Sequence, residues 1–114
     1  MVLEQLKRHK VGDICISSIT LAELRYGASK SLYPERNHQA LNEFILPLDI
    51  ADFDEEAALA YGEIRSYLEK KGTPVGSLDT LIGAHALSLS VTLVTNNTKE
   101  FKRIKGLSIA DWSI

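Results

Sequence analysis

The sequence has a single cysteine, no apolar run of membrane-spanning length, no internal repeat and no low-complexity segment. Each of these absences removes a class of protein. One thiol cannot build a disulfide framework; Cys15, set in an apolar run, suits a reducing compartment and is expected to be buried. Without about 20 consecutive apolar residues there is no candidate membrane helix, and the N-terminus shows no signal-peptide pattern, so a cytoplasmic location is expected. Positive charge is not in surplus either. With a formal net charge of −2, overall charge would not draw the chain to nucleic acid, and any such binding needs a local basic patch. At 114 residues there is room for one core, so residues 1–114 are expected to form a single domain. What is present, 45% apolar and 25% charged residues, is the make-up of an ordinary globule.

The stretch from Pro74 to Ser88 organises the rest. Ser77 is a natural N-cap, and Leu78, Leu81, Ile82 and Leu89 recur at helical spacing beside the small Ala84 and Ala86. The first turn of this apolar helix carries one acid, Asp79. Such an acid ordinarily complements the positive helix end, worth about 0.3–1 kcal/mol. The alternative is a carboxylate placed to hold a hard cation, and the neighbours of that helix mouth decide between the two.

Taken in order, residues 1–10 read as a helix stopped by Gly12, and residues 14–18 as a short buried strand. Thr20 and Glu23 stand at capping-box spacing, opening a helix with Leu21, Leu24 and Ala28 on its apolar face. Glu23 is thereby a second first-turn acid, at the carboxyl end of a strand, where open α/β sheets place their ligands. Pro34 starts another helix, which buries Ala40, Leu41, Phe44 and Ile45 and leaves His38 toward solvent. Residues 46–50 alternate at period two, and Pro47 argues for an edge strand. Asp54, Glu55 and Glu56 open a long helix carrying Ala57, Tyr61, Ile64 and Leu68, closed by Lys70, Lys71 and Gly72. Residues 91–95 form a β-rich run of parallel-strand type, followed by a turn at Asn96 and Asn97. A last short strand fits residues 107–109, with Trp112 packing near the terminus. Strands alternate with helices, so the fold class is α/β with a mostly parallel sheet.

Four segments read together resemble the PIN-domain family, and most of all its VapC-type toxins from bacterial toxin–antitoxin pairs. They are residues 16–27 (Ile-Ser-Ser-Ile-Thr-Leu-Ala-Glu-Leu-Arg-Tyr-Gly), 72–79 (Gly-Thr-Pro-Val-Gly-Ser-Leu-Asp), 82–86 (Ile-Gly-Ala-His-Ala) and 93–101 (Leu-Val-Thr-Asn-Asn-Thr-Lys-Glu-Phe). The ending at residues 106–112 is similar too. The resemblance implies a three-layer α/β/α sandwich and an acidic cluster binding Mg²⁺ or Mn²⁺. It also implies hydrolysis of RNA by an endoribonuclease toxin that a cognate antitoxin neutralises. Glu23 matches the family's second acid and Asp79 its third, and these two are the implied metal ligands. Asn97 stands where many members have a fourth Asp, Glu100 matches an acid that often follows, and Thr95 matches a hydroxyl near the site. The implied catalytic set is Glu23, Asp79, Asn97 and Glu100. Lys99, Lys102 and Arg103 would contact phosphates, or else form a solvated helix face.

Members of the family begin with a strand ending in Asp, in a pattern like Leu-Asp-Thr-Asn, and no such pattern is found from Met1 onward. The expectation is therefore an N-terminally truncated PIN-like fold that lacks the first acid and a central strand, with weak or absent activity. Its alternative is a catalytically inactive remnant acting only as an interaction protein. Strands left with open edges seek pairing, so a homodimer with an intimate interface is expected.

Overall fold

The computed structural model describes residues 15–95 and 97–111. They group into two compact units, whose described parts are residues 15–52 and residues 53–111. The helix expected over residues 1–10, its stop at Gly12, Asn96 and the packing of Trp112 lie outside the described residues.

The first unit opens with strand β1 (Cys15–Ser17), which pairs in parallel with β2 (Asp49–Ala51), Ile16 standing opposite Ile50. Cys15 is exposed rather than buried. A ladder of two strands leaves the ends of its strands little covered, and Cys15 is the first residue of β1. Helix α1 (Ser18–Ser29) begins directly after β1. Its N-cap is Ser17, whose hydroxyl accepts the Ile19 N–H at 3.1 Å. The capping box expected at Thr20 and Glu23 does not form. An earlier hydroxyl, at the point where the strand ends, already satisfies one of the open donors and starts the helix sooner.

Helix α2 (Pro34–Ile45) starts on its proline as expected. The strand expected over residues 46–50 shrinks and shifts: residues 46–48 form a turn, in which the Leu48 N–H meets the Ile45 carbonyl at 2.9 Å. Pro47 thus sits in a connection, where its missing N–H costs nothing. His38 does not face solvent alone. Its ring is half-buried between α1 and α2, with Nδ1 3.1 Å from an Arg25 guanidinium nitrogen and Nε2 2.9 Å from the Ser29 hydroxyl.

The second unit is built on helix α3 (Glu55–Lys71) and helix α4 (Ser77–Leu89). Asp54 caps α3 by accepting the Ala57 N–H at 3.0 Å, and Gly72 ends it in the left-handed region at φ 76°. There the N–H groups of Gly72 and Thr73 return to the carbonyls of Glu69 and Leu68. Leu68, Phe101 and Ile104 form the buried centre, with Ile64, Val75, Ile82 and Leu87 packed around it. Gly83 on α4 faces this centre so closely that a Cβ built there would lie 2.5 Å from the Ile104 Cδ1 and 3.4 Å from the Phe101 ring. His85 is buried, its ring edge-on to Phe53 at 5.3 Å.

Strand β3 (Leu93–Val94) follows, then the short helix α5 (Thr98–Phe101) and strand β4 (Ile109–Ala110), which pairs in parallel with β3. The β-rich run over 91–95 is thus strand only at its centre, and Val91 is 40% exposed. Both ladders are parallel, in keeping with an α/β class.

Candidate active site

Asp79 occupies the third position of α4, so it lies in the first turn as the sequence implies. The N-cap, however, is Gly76 and not Ser77, and no side chain caps the helix. The helix entry is held by carbonyl partners instead. The Thr80 hydroxyl shares its one proton between the carbonyls of Gly76 at 2.9 Å and Val75 at 3.3 Å, and Arg103 donates to the Pro74 carbonyl at 2.9 Å. Three consecutive loop carbonyls are therefore fixed by side chains.

The half-buried Asp79 carboxylate meets Asn97, whose Nδ2 donates to Asp79 Oδ2 at 3.1 Å. The amide orientation follows from chemistry, since an ionised carboxylate can only accept. Asn97 is itself positioned by Thr95: its backbone N–H donates to the Thr95 hydroxyl at 3.0 Å, just past the end of β3. The three residues singled out in the sequence as Thr95, Asn97 and Asp79 thus form one connected set within one unit.

Glu100 is also on this unit but is engaged elsewhere, 3.7 Å from the Arg103 guanidinium in an i,i+3 pair. Arg103, expected as a phosphate contact, is committed to Pro74 and Glu100. Lys99 and Lys102 remain exposed. Glu23 belongs to the other unit and is exposed in the second turn of α1, not in a first turn, because the helix starts at Ser18.

Among the described residues no three His, Cys, Asp or Glu side chains are gathered as a metal site. The Asp79–Asn97 pair nevertheless offers only oxygen acceptors, with one carboxylate oxygen not used by Asn97. That donor chemistry fits Mg²⁺ or Mn²⁺, which take one or two carboxylates and keep several waters or substrate oxygens.

The sequence pattern that defines the PIN domain matches residues 1–107. The chain belongs to the PIN-domain family. Within it, the chain is of VapC type: it is 54% identical over 99 residues to a tRNA(fMet)-specific endonuclease VapC of Salmonella typhimurium, covering 87% of this chain and 75% of that one. It is 50% identical over 103 residues to a ribonuclease VapC2 of Rickettsia felis, covering 90% of this chain and 77% of the relative. The fold of this PIN domain is similar to that seen in the crystal structure of VapBC2 from Rickettsia felis bound to a DNA fragment from their promoter. That match has a TM-score of 0.87 at 48% identity, over 97% of this chain and 82% of the other. Sequence reading of this PIN domain missed two features, the Arg103 contact with Pro74 and the dual role of Thr80. The Arg103 contact has no local signature, because it depends on a carbonyl left open by a loop 29 residues away, whereas the Thr80 bond to Gly76 is a local i−4 contact of a helical threonine.

Proposed function

We propose that this PIN domain is a divalent-metal-dependent endoribonuclease, the VapC-type toxin of a type II toxin–antitoxin pair. The observation that carries the reading is the Asp79 carboxylate at the mouth of α4, aimed by Asn97 at 3.1 Å. The identity to VapC ribonucleases supports it. In this reading Asp79 is a ligand of Mg²⁺ or Mn²⁺, Asn97 fixes its rotamer, and Glu23 is the second acid that the resemblance assigns to the catalytic set. A cation held there would supply an activated water and positive charge to offset the negative charge on the phosphoryl oxygens of the pentacoordinate transition state. Asn97 fills the role of an outer-shell partner, which orients a ligating carboxylate through a hydrogen bond. Lys99 and Lys102 supply cationic contacts to RNA phosphates on an otherwise acidic protein.

RNA cleavage in Mn²⁺ and in EDTA tests the reading, with Glu23→Gln as the probing variant. Glu23 is exposed inside a helix, so the substitution should leave stability within about 0.5 kcal/mol. Cleavage should require Mn²⁺ and should fall sharply in the variant. Undiminished cleavage by Glu23→Gln would remove Glu23 from the site.

Residues 1–114 act as one domain in this reading, located in the cytoplasm. The solved VapBC complexes support an antitoxin as its protein partner. A second copy of the chain is the other partner we propose, supported by Leu59 and Tyr67, 65% and 46% exposed along one side of α3. Light scattering across a dilution series should return a mass above the 12.6 kDa monomer; a monomer at every concentration would rule the homodimer out.

A further inference from the structure

The entry to α4 has no side-chain cap, yet it must launch Asp79 at a fixed angle. Its geometry rests on the three loop carbonyls already described. Thr80, inside α4, holds two of them, so it ties the helix only to its own approach. The third, Pro74, is held from outside α4 by Arg103, in the turn that follows α5. The same stretch of chain begins with Asn97 on the Asp79 carboxylate. Phe101, between those two contacts in sequence, and Ile104, just after them, pack on Gly83. Residues 97–103 therefore clamp the first turns of α4 at both ends: one end grips the carboxylate, the other grips the loop that delivers it.

We propose that Arg103 is a positioning residue for the Asp79 site, acting through the Pro74 carbonyl, and that Glu100 serves it by holding the guanidinium. This rests on the reading of Asp79 as a metal-holding carboxylate. It replaces two simpler roles, Arg103 as a phosphate contact and Glu100 as a cation ligand. Glu100 Oε1 lies 3.7 Å from Arg103 Nη1, the same nitrogen that donates to the Pro74 carbonyl, so its charge sits beside the nitrogen that makes that contact. A lysine carries the same charge on a flexible stem without the planar fork, so it does not fix the direction of the nitrogen that the Pro74 carbonyl accepts from.

The full chain with Arg103→Met, Arg103→Lys and Glu100→Gln decides between these roles. Three readouts are taken: Mn²⁺ affinity by calorimetry without RNA, the salt dependence of RNA binding in EDTA, and the amide NMR signals of residues 75–79 without metal. Arg103→Met should weaken Mn²⁺ binding several-fold, shift those amide signals and leave the salt slope unchanged. Arg103→Lys should fail to restore Mn²⁺ affinity, and Glu100→Gln should weaken it in the same direction by less. A phosphate contact gives the opposite pattern: Mn²⁺ affinity is untouched, the slope of log K against log salt drops by about 0.7 for a single strand, and Arg103→Lys restores binding. That result would overturn the proposal. Should the wild type bind no Mn²⁺, the metal reading of Asp79 fails on its own. The amide signals then decide Arg103, shifts at residues 75–79 supporting the clamp and their absence refuting it. A variant that loses its native spectrum altogether is replaced by Glu100→Gln, which keeps every atom of Arg103, and the same two patterns are read from it.

Discussion

Asp79 and Asn97 share a single hydrogen bond, and the identity of the second residue sets what the pair can do. Asn97→Asp would exchange a donor for a second acceptor beside a carboxylate. Two carboxylates at such a distance repel unless a proton or a cation sits between them. The metal-free variant should therefore melt at a lower temperature than the wild type. With Mn²⁺ the order should reverse in sensitivity: the variant should bind the ion several-fold more tightly and gain more thermal stability from it, as ligand linkage requires. Thermal melts with and without Mn²⁺ check this, and an unchanged Mn²⁺ response would place Asn97 away from the cation. Glu23 illustrates the opposite lesson at this scale. Its capping-box spacing is real in the sequence, but Ser17 caps the helix first, so the acid is exposed with no local structural duty of that kind.

Among the elements, α4 is the most sharply constrained. Its approach to the turn around Ile104 is so close that only hydrogen fits at Gly83. Gly83→Ala would gain about 1 kcal/mol of helix propensity. Against that, pressing a methyl into a filled core costs about 1–3 kcal/mol. Ile104 is 2% exposed and Phe101 3%, so neither can swing into open space. The expected outcome is a net destabilisation and a lower denaturant midpoint in equilibrium unfolding; a midpoint equal to or above the wild type would show that the Ile104 methyl moves freely. Helix α3 was the most legible element in the sequence, since Asp54 and Gly72 are local caps acting through their own backbone neighbours. The strands were less legible. Residues 46–50 alternate correctly for a strand, yet only Asp49 and Ile50 enter one, because strand extent depends on pairing partners distant in sequence. Likewise Ser77 reads as a cap, but it is already the first residue of the helix, with Gly76 at the N-cap position and no side-chain cap.

For the whole molecule, family membership was legible because several weak motifs occur in one order, although each alone has a plain structural explanation. The PIN-domain match over residues 1–107 and the 54% identity to a VapC endonuclease agree with that joint pattern. Within the unit that carries α4, Thr95, Asn97 and Asp79, singled out in the sequence, are joined by hydrogen bonds, whereas Glu100 and Arg103 pair with each other. The difference is physical. Asp79 and Asn97 lie on a helix mouth and a strand end, positions that the pattern of elements determines. The pairing of Arg103 depends instead on which carbonyls a loop leaves open. The central claim is that Asp79 is the carboxylate around which a divalent cation is held for RNA hydrolysis. Calorimetric titration of Mn²⁺ into the wild type and Asp79→Asn tests it most directly, because asparagine keeps the size and removes only the charge. The wild type should bind one ion weakly, with a dissociation constant on the order of 1 mM for a site of so few carboxylates, and the variant should bind none measurably. Equal binding by the two proteins would contradict the account.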